Sequence, residues 1–139
     1  MKTTYPAIIA FSDADGVFEV TFPDFPGCIT FGITREEAEG MASDALTGVI
    51  ESMISRSIAL PEPSTLPEGT LIPPAPSVSF ALWLRRKRND SGMTLTDAAE
   101  KLGVKYQVYQ KLENPETANP TLKTISKLER VFGETVLAL

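Results

Sequence analysis

Histidine does not occur in these 139 residues, and cysteine occurs once, at Cys28. Without histidine there is no Ser-His-Asp or Cys-His nucleophile, and a single thiol allows neither a zinc finger nor a disulfide framework. A lone cysteine fits a reducing compartment. Long apolar runs are missing as well: none approaches the roughly 18 residues that cross a bilayer. The Met-Lys start leads into no extended apolar segment. These absences predict a cytoplasmic chain with no membrane partner, and no residue pattern calls for a cofactor or a metal.

Positive charge is scarce in one half. Residues 1–76 carry three basic groups (Lys2, Arg35, Arg56) against eleven acidic ones, whereas residues 77–139 carry ten basic and seven acidic groups. The overall charge of -5 therefore splits into about -8 and +3, a contrast that suggests two modules with different partners. With 42% hydrophobic and 22% charged residues, the chain can bury a core. Six of the eleven prolines fall within residues 61–76. Proline lacks an N–H and fixes φ, so this stretch is expected as a semi-rigid linker. Within it, Thr70, Leu71 and Ile72 could pair as a short edge strand. The expected domains are residues 1–60, the linker 61–76, and residues 77–139.

In the acidic module, residues 5–11 (YPAIIAF) are rich in strand formers, residues 12–16 (SDADG) have turn chemistry, and residues 17–22 (VFEVTF) alternate. Phe18, Val20 and Phe22 share one face, with Val17, Glu19 and Thr21 on the other. A hairpin follows, and a third short strand over residues 28–31 completes an antiparallel meander. Thr34-Arg35-Glu36-Glu37 has the form of a capping box. Apolar positions then recur in steps of three and one from Ala38 through Met41, Leu46 and Ile50 to Ile54, tracing one face of a helix of about five to six turns. One helix on one sheet makes a small α+β layer.

These residues resemble a known family. The YP start, the G-x-[FY]-x-V strand at 16–20 and the FPDFPG run at 22–27 are similar to HicB-type antitoxins. So are the T-x-x-E-A of residues 34–38, the DAL of 44–46 and the P-x-P-S of 61–64. The resemblance covers about residues 4–76. It implies a partly degraded RNase H-like fold and a role in neutralising HicA, a small toxin that cleaves mRNA. Asp13, Asp15, Glu19 and Asp24 could instead be imagined as ligands of a two-metal nuclease. No motif gathers three of them, and Asp13 and Asp15 sit where turns use Asp for local hydrogen bonds. A binding surface suits them better, and with Phe25 they are the residues expected to meet the toxin.

The basic module opens with residues 80–89 (FALWLRRKRN), a helix whose cationic end suits the negative pole of its dipole. Thr94, with Asp97 three residues on, reads as an N-cap. Leu95, Ala98, Ala99 and Leu102 form an apolar stripe, and Gly103 fits a left-handed helix end, with Val104 plugging the turn. A second helix is expected over residues 105–113, with Val108, Tyr109 and Leu112 facing inward. Two short helices across a glycine turn make a helix-turn-helix. The A-x-x-x-G-V order at 99–104 resembles the phage-repressor, Cro-like type, over roughly residues 80–133. Leu95 departs from it, since many members place a Gln there. Asn119-Pro120 and the later apolar set Leu122, Ile125, Leu128 and Val131 look like that family's supporting helices.

The resulting all-α module is expected to bind double-stranded operator DNA. Gln107 and Gln110 are placed to read base edges, with Tyr106 beside them; Gln can bond bidentately to adenine. Lys105, Lys111, Arg85, Arg86 and Arg88 suit phosphates, and Thr94 adds a hydroxyl donor. A charge of +3 is modest for one copy, so a homodimer or higher even oligomer is expected, with the apolar ending Val131, Phe132 and residues 135–139 as its seam. Toxin neutralisation with autoregulation of the toxin–antitoxin genes is the leading expectation. A stand-alone transcription regulator with an acidic sensing or oligomerisation domain is the alternative. No catalytic residue is expected.

Overall fold

Alternating side chains and a glycine turn build the first hairpin. Tyr5–Ser12 (β1) pairs antiparallel with Val17–Thr21 (β2), from Ile8 opposite Thr21 to Ser12 opposite Val17. Gly16 closes the turn at φ +67°, and its N–H donates to the Ser12 carbonyl at 2.8 Å. Ile29–Gly32 (β3) pairs with β2, and Thr70–Ile72 (β4) pairs with the other side of β1, giving the antiparallel order β3-β2-β1-β4. This computed structural model describes residues 3–133, and the chain divides into two units between Ala75 and Pro76.

One helix covers one face of the sheet. Arg35–Ser55 (α1) starts at Thr34, whose Oγ1 accepts the Glu37 N–H at 3.1 Å. Ala38, Ala42, Leu46 and Ile50 are buried, a single i, i+4 row. The stripe is narrower than the sequence suggests: Met41 is 41% exposed, because positions flanking that row overhang the margin of a four-stranded sheet. Gly32 allows the close approach, since a Cβ there would lie 2.3 Å from the Ala38 backbone nitrogen. Tyr5, Pro6, Ala7, Val20, Phe22, Phe25 and Ile72 are buried apolar residues on the strands and the loop after β2.

The proline-rich stretch is laid along this unit. Its prolines cannot donate, but their carbonyls accept: Pro61 from the Tyr5 hydroxyl at 2.7 Å and Pro73 from Ser43 Oγ at 2.7 Å. The Asp24 carboxylate accepts from both the backbone N–H and the hydroxyl of Ser64, and Thr47 Oγ1 accepts the Ala75 N–H.

The second unit is helical: Pro76–Asp90 (α2), Leu95–Leu102 (α3), Tyr106–Leu112 (α4) and Leu122–Phe132 (α5). The first helix begins four residues before Phe80, because proline is well suited to a first helical position. Phe80, Trp83, Leu84, Leu102, Tyr109, Ile125 and Leu128 are the larger members of its core, with Ala98 and Ala99 where helices approach closely. One inward assignment is corrected: Val108 is 48% exposed. Leu122, in the apolar set of the supporting helix, is 74% exposed. On a seven-residue helix the i, i+3 pair Tyr109 and Leu112 already fills the core side, leaving Val108 outside. Leu122 is the first residue of α5, before the helix reaches the core at Ile125. Residues 134–139, and the dimer seam expected on them, lie outside the described residues; Phe132 packs on Trp83 with ring centroids 6.1 Å apart. Among the described residues no helix is long and apolar enough to cross a membrane.

Candidate nucleic-acid and protein interfaces

Local chemistry fixes both ends of α3. Thr94 Oγ1 accepts the Asp97 N–H at 3.1 Å, and the Asp97 carboxylate accepts the Thr94 N–H at 3.1 Å. The bond from the Thr94 backbone holds the Asp97 carboxyl below its usual range, with the Thr94 side chain adding to it. Gly103 ends α3 in the left-handed conformation, φ +73°, and Val104 packs on the core in the turn. The next helix starts at Lys105, whose side chain makes no capping bond.

The outer face of α4 is then an uninterrupted exposed surface: Lys105, Tyr106, Gln107, Val108, Gln110 and Lys111. It brings together five of the residues expected to meet DNA and adds Val108, whose apolar type suggested burial. Arg86 is exposed and Arg85 half-buried on α2. Thr94 is exposed but committed to its cap.

Arg88 is a correction. Its Nε and Nη2 donate to the two Glu113 carboxylate oxygens at 2.7 and 3.1 Å, and its Nη1 donates to the Met93 carbonyl at 3.1 Å. Both side chains are largely buried, so this guanidinium is not free for a phosphate. The hydrogen bonds to Glu113 hold Arg88 above its ordinary value against the opposing effect of burial. Four consecutive cations on a helix cannot share a face, and Arg88 follows fully buried Leu84 by one turn. That spacing, with an acid directly after Leu112, was the signal available in the sequence. The buried Tyr109 phenol lies beside the pair without hydrogen-bond geometry to either partner, and burial pushes its ionisation well above the usual value.

In the acidic unit the structure separates the expected residues. Asp13 and Asp15 are exposed in the hairpin turn, where Ser12 Oγ accepts the Asp15 N–H at 3.4 Å. Glu19 is exposed on the sheet face opposite α1. Asp24 is occupied by Ser64. Phe25 is another correction: it is 4% exposed, packed edge-on against Tyr5 with centroids 4.7 Å apart. Proline and glycine around it suggested a presented loop, whereas the loop folds its ring under the sheet.

Asp15 and Glu19 instead share a shallow groove of about 260 Å3 with Val17, Ile29, Thr30 and Phe31. The last residues carried a signal that sequence reasoning passed over, since Val17 already shared a strand face with Glu19. Among the described residues, no three carboxylate or cysteine side chains are gathered so as to hold a metal ion.

An acidic two-layer α+β unit followed by a helix-turn-helix with a polar, cationic outer face defines the class of protein. A family model described as a HicB_like antitoxin of bacterial toxin-antitoxin system matches residues 4–78, and a helix-turn-helix model matches residues 84–139. The chain belongs to the HicB-like antitoxin family. It is similar to Antitoxin HicB 1 of Photorhabdus laumondii, 35% identical over 103 residues, 74% of this chain and 65% of that one. The chain thus spans just under two thirds of that relative. Antitoxin HicB 2 of the same organism is 32% identical over 78% of this chain and 76% of its own length. Among solved structures, a toxin–antitoxin complex from Streptococcus pneumoniae is similar at a TM-score of 0.48 and 20% identity, covering 72% of this chain and 95% of that chain.

Proposed function

We propose that this chain is a non-enzymatic cytoplasmic antitoxin with two activities: its acidic unit binds and occludes a HicA-type mRNA-cleaving toxin, and its helix-turn-helix binds operator DNA to repress the toxin–antitoxin genes. The observation that carries this reading is the opposite charge of two compact units in a chain of the HicB-like family. A toxin that grips RNA is cationic, so an acidic cover gains encounter rate and specificity from opposite charge. Inhibition is then occlusion, with no bond made or broken.

On the DNA side, Gln107 and Gln110 read base edges, and a Gln–adenine pair is worth about 1–3 kcal/mol of discrimination. Exposed Val108 on the same helix supports an apolar contact with a thymine methyl group. Lys105, Lys111 and Arg86 hold phosphates, each adding about 0.9 to the salt slope. In this reading Arg85, Tyr106 and the Thr94 hydroxyl add further backbone contacts. The protein acts as a homodimer or higher even oligomer, presenting α4 twice to half-sites about one helical turn apart. Toxin occupancy then tunes repression by changing how copies pair on DNA.

The test is binding to a promoter fragment from upstream of the gene, with Gln107→Ala and Lys105→Ala variants. Gln107→Ala relaxes preference at one base pair by about 1–3 kcal/mol, and Lys105→Ala weakens all sequences alike while lowering the salt slope by about 1. Binding unchanged by either substitution overturns the DNA reading. For the toxin half, a small basic protein found encoded beside this gene is co-expressed and captured with the chain. A chain that retains nothing overturns the antitoxin reading and leaves a stand-alone regulator.

A further inference from the structure

The sheet of the acidic unit has two faces and one helix. Fully buried Val20 and Gly32 lie against α1, so Val17, Glu19 and Thr21 of β2 point the other way. The pairing register aligns that second face in rows: Ala10, Glu19 and Phe31 in one, Ile8, Thr21 and Ile29 in the next. The described chain leaves the β2–β3 part of this face open, since Ile29 is 67% and Phe31 58% exposed, whereas Pro6 towards the β4 edge is fully buried. Leu71 on β4 extends the exposed apolar surface towards the opposite edge. By contrast, the only large hydrophobic side chain of α1 that is exposed is Met41. Contiguous apolar surface rimmed by charge marks a protein contact rather than ordinary surface.

We infer that this open sheet face, centred on the Val17–Glu19–Ile29–Phe31 groove, is where the toxin docks, taking a lysine or arginine side chain of the toxin into the groove. This rests on the antitoxin reading and names its surface. The groove is lined by the apolar side chains of Val17, Ile29 and Phe31 together with two carboxylates, Asp15 and Glu19. Long cationic side chains match such a site, with an aliphatic stem for Val17 and Ile29, a charged head for the carboxylates and an exposed ring at Phe31. The whole unit reinforces the match: residues 3–75 contain eleven acidic groups and only Arg35 and Arg56 as cations. Arg35 is already engaged with Glu39 and Thr70. A second copy of this chain fits poorly, because it would bring the same carboxylates against each other. Nucleic acid is disfavoured for the same reason.

The experiment captures the small basic protein encoded beside the gene with the full chain, comparing two sets of charge and size changes on exposed residues. The sheet set is Glu19→Lys and Phe31→Ser; the helix set is Glu36→Lys and Asp44→Lys on the outer side of α1. Circular dichroism confirms that each variant is folded. The sheet set is expected to weaken toxin affinity at least tenfold each, and the helix set by less than threefold. Equal losses from both sets mean that charge acts without a defined surface, and they overturn the inference. Loss confined to the helix set overturns it as well. Should the sheet variants keep the toxin but lower the mass of the free chain in light scattering, the face belongs to a second copy and the inference fails. In all three cases wild-type capture succeeds, so the antitoxin reading survives. A wild-type chain that captures nothing brings down the reading and the inference together.

Discussion

The two units solve the same problem, burying an apolar core in about 60–75 residues, and they leave different surfaces behind. The acidic unit spends its apolar residues on both faces of a sheet and covers only one of them. Ile29, Phe31 and Leu71 stay outside in a setting that is almost purely anionic. The helical unit gathers its larger side chains into one core, and the helix that faces outward is lined mainly by Lys, Tyr and Gln. An open apolar face with acidic edges suits a cationic protein, whereas amide and ammonium groups on an exposed short helix suit base edges and phosphates. The surfaces differ because sheets have two faces to cover and a short helix in a bundle has one.

The cores differ too, and the largest expected effect exploits this. In the helical unit, Arg88 and Glu113 form a buried bidentate pair between α2 and the end of α4. In the acidic unit, the Arg35–Glu39 ion pair is exposed and lies within one helix. Arg88→Met strands a buried carboxylate and is expected to destabilise the helical unit by about 3–5 kcal/mol. Pairing it with Glu113→Leu recovers much of that loss, since an apolar replacement of both charges removes the uncompensated one. Trp83 is the chain's single tryptophan and sits in that unit's core, so its fluorescence in a urea titration reads this unit alone. If Arg88→Met leaves the Trp83 midpoint unchanged, the pair does not hold α4 in place. The same variant is expected to lose DNA affinity through a displaced α4 while retaining the toxin.

The reciprocal change lies at Gly32. Here a Cβ would meet the Ala38 backbone nitrogen at 2.3 Å, and backbone cannot swing aside as a flexible side chain can. Gly32→Ala is expected to cost about 1–3 kcal/mol or more by separating α1 from the sheet. Limited proteolysis should cut residues 3–75 faster while the Trp83 midpoint stays where it was. A shift of both together would show that the units fold as one and that the contrast between them is only one of surface.

Much of this architecture was legible from periodicity and caps. The hairpin, the α1 start at Thr34, the Thr94 cap and the Gly103 stop follow from local chemistry within a few residues, which is why their positions could be stated in advance. What was not legible depends on which side of an element meets the core. Arg88 and Phe25 carry residue types common at interfaces, yet each is turned inward, by the turn that follows Leu84 and by the Tyr5 ring respectively. Val108 erred in the opposite direction, an apolar type left outside because Tyr109 and Leu112 complete the inner side of a two-turn helix. The carboxylates expected to meet a toxin were named one by one, whereas Ile29 and Phe31 become a surface only once the register sets them beside Glu19.

The smallest effect separates the two kinds of helix start. At α1 the Thr34 side chain accepts the Glu37 N–H; at α3 the bond is returned, because the Asp97 carboxylate also accepts the Thr94 N–H. That returned bond is the main reason the Asp97 carboxyl is held below its usual range. A carboxyl that is easier to ionise in the folded unit than in the unfolded chain stabilises the fold at neutral pH. Its contribution is present above the unfolded value of about 3.9 and is lost as pH falls through the lower folded value. Thermal unfolding followed at Trp83 should therefore show a midpoint that declines as pH is lowered from about 5 to about 2. Asp97→Asn keeps an acceptor for the Thr94 N–H but removes the titration, so its curve should fall less steeply over that window. The difference between the two curves isolates this one group from every other carboxyl in the chain. Parallel curves would mean that the returned bond at α3 adds nothing to the one-sided cap that serves α1.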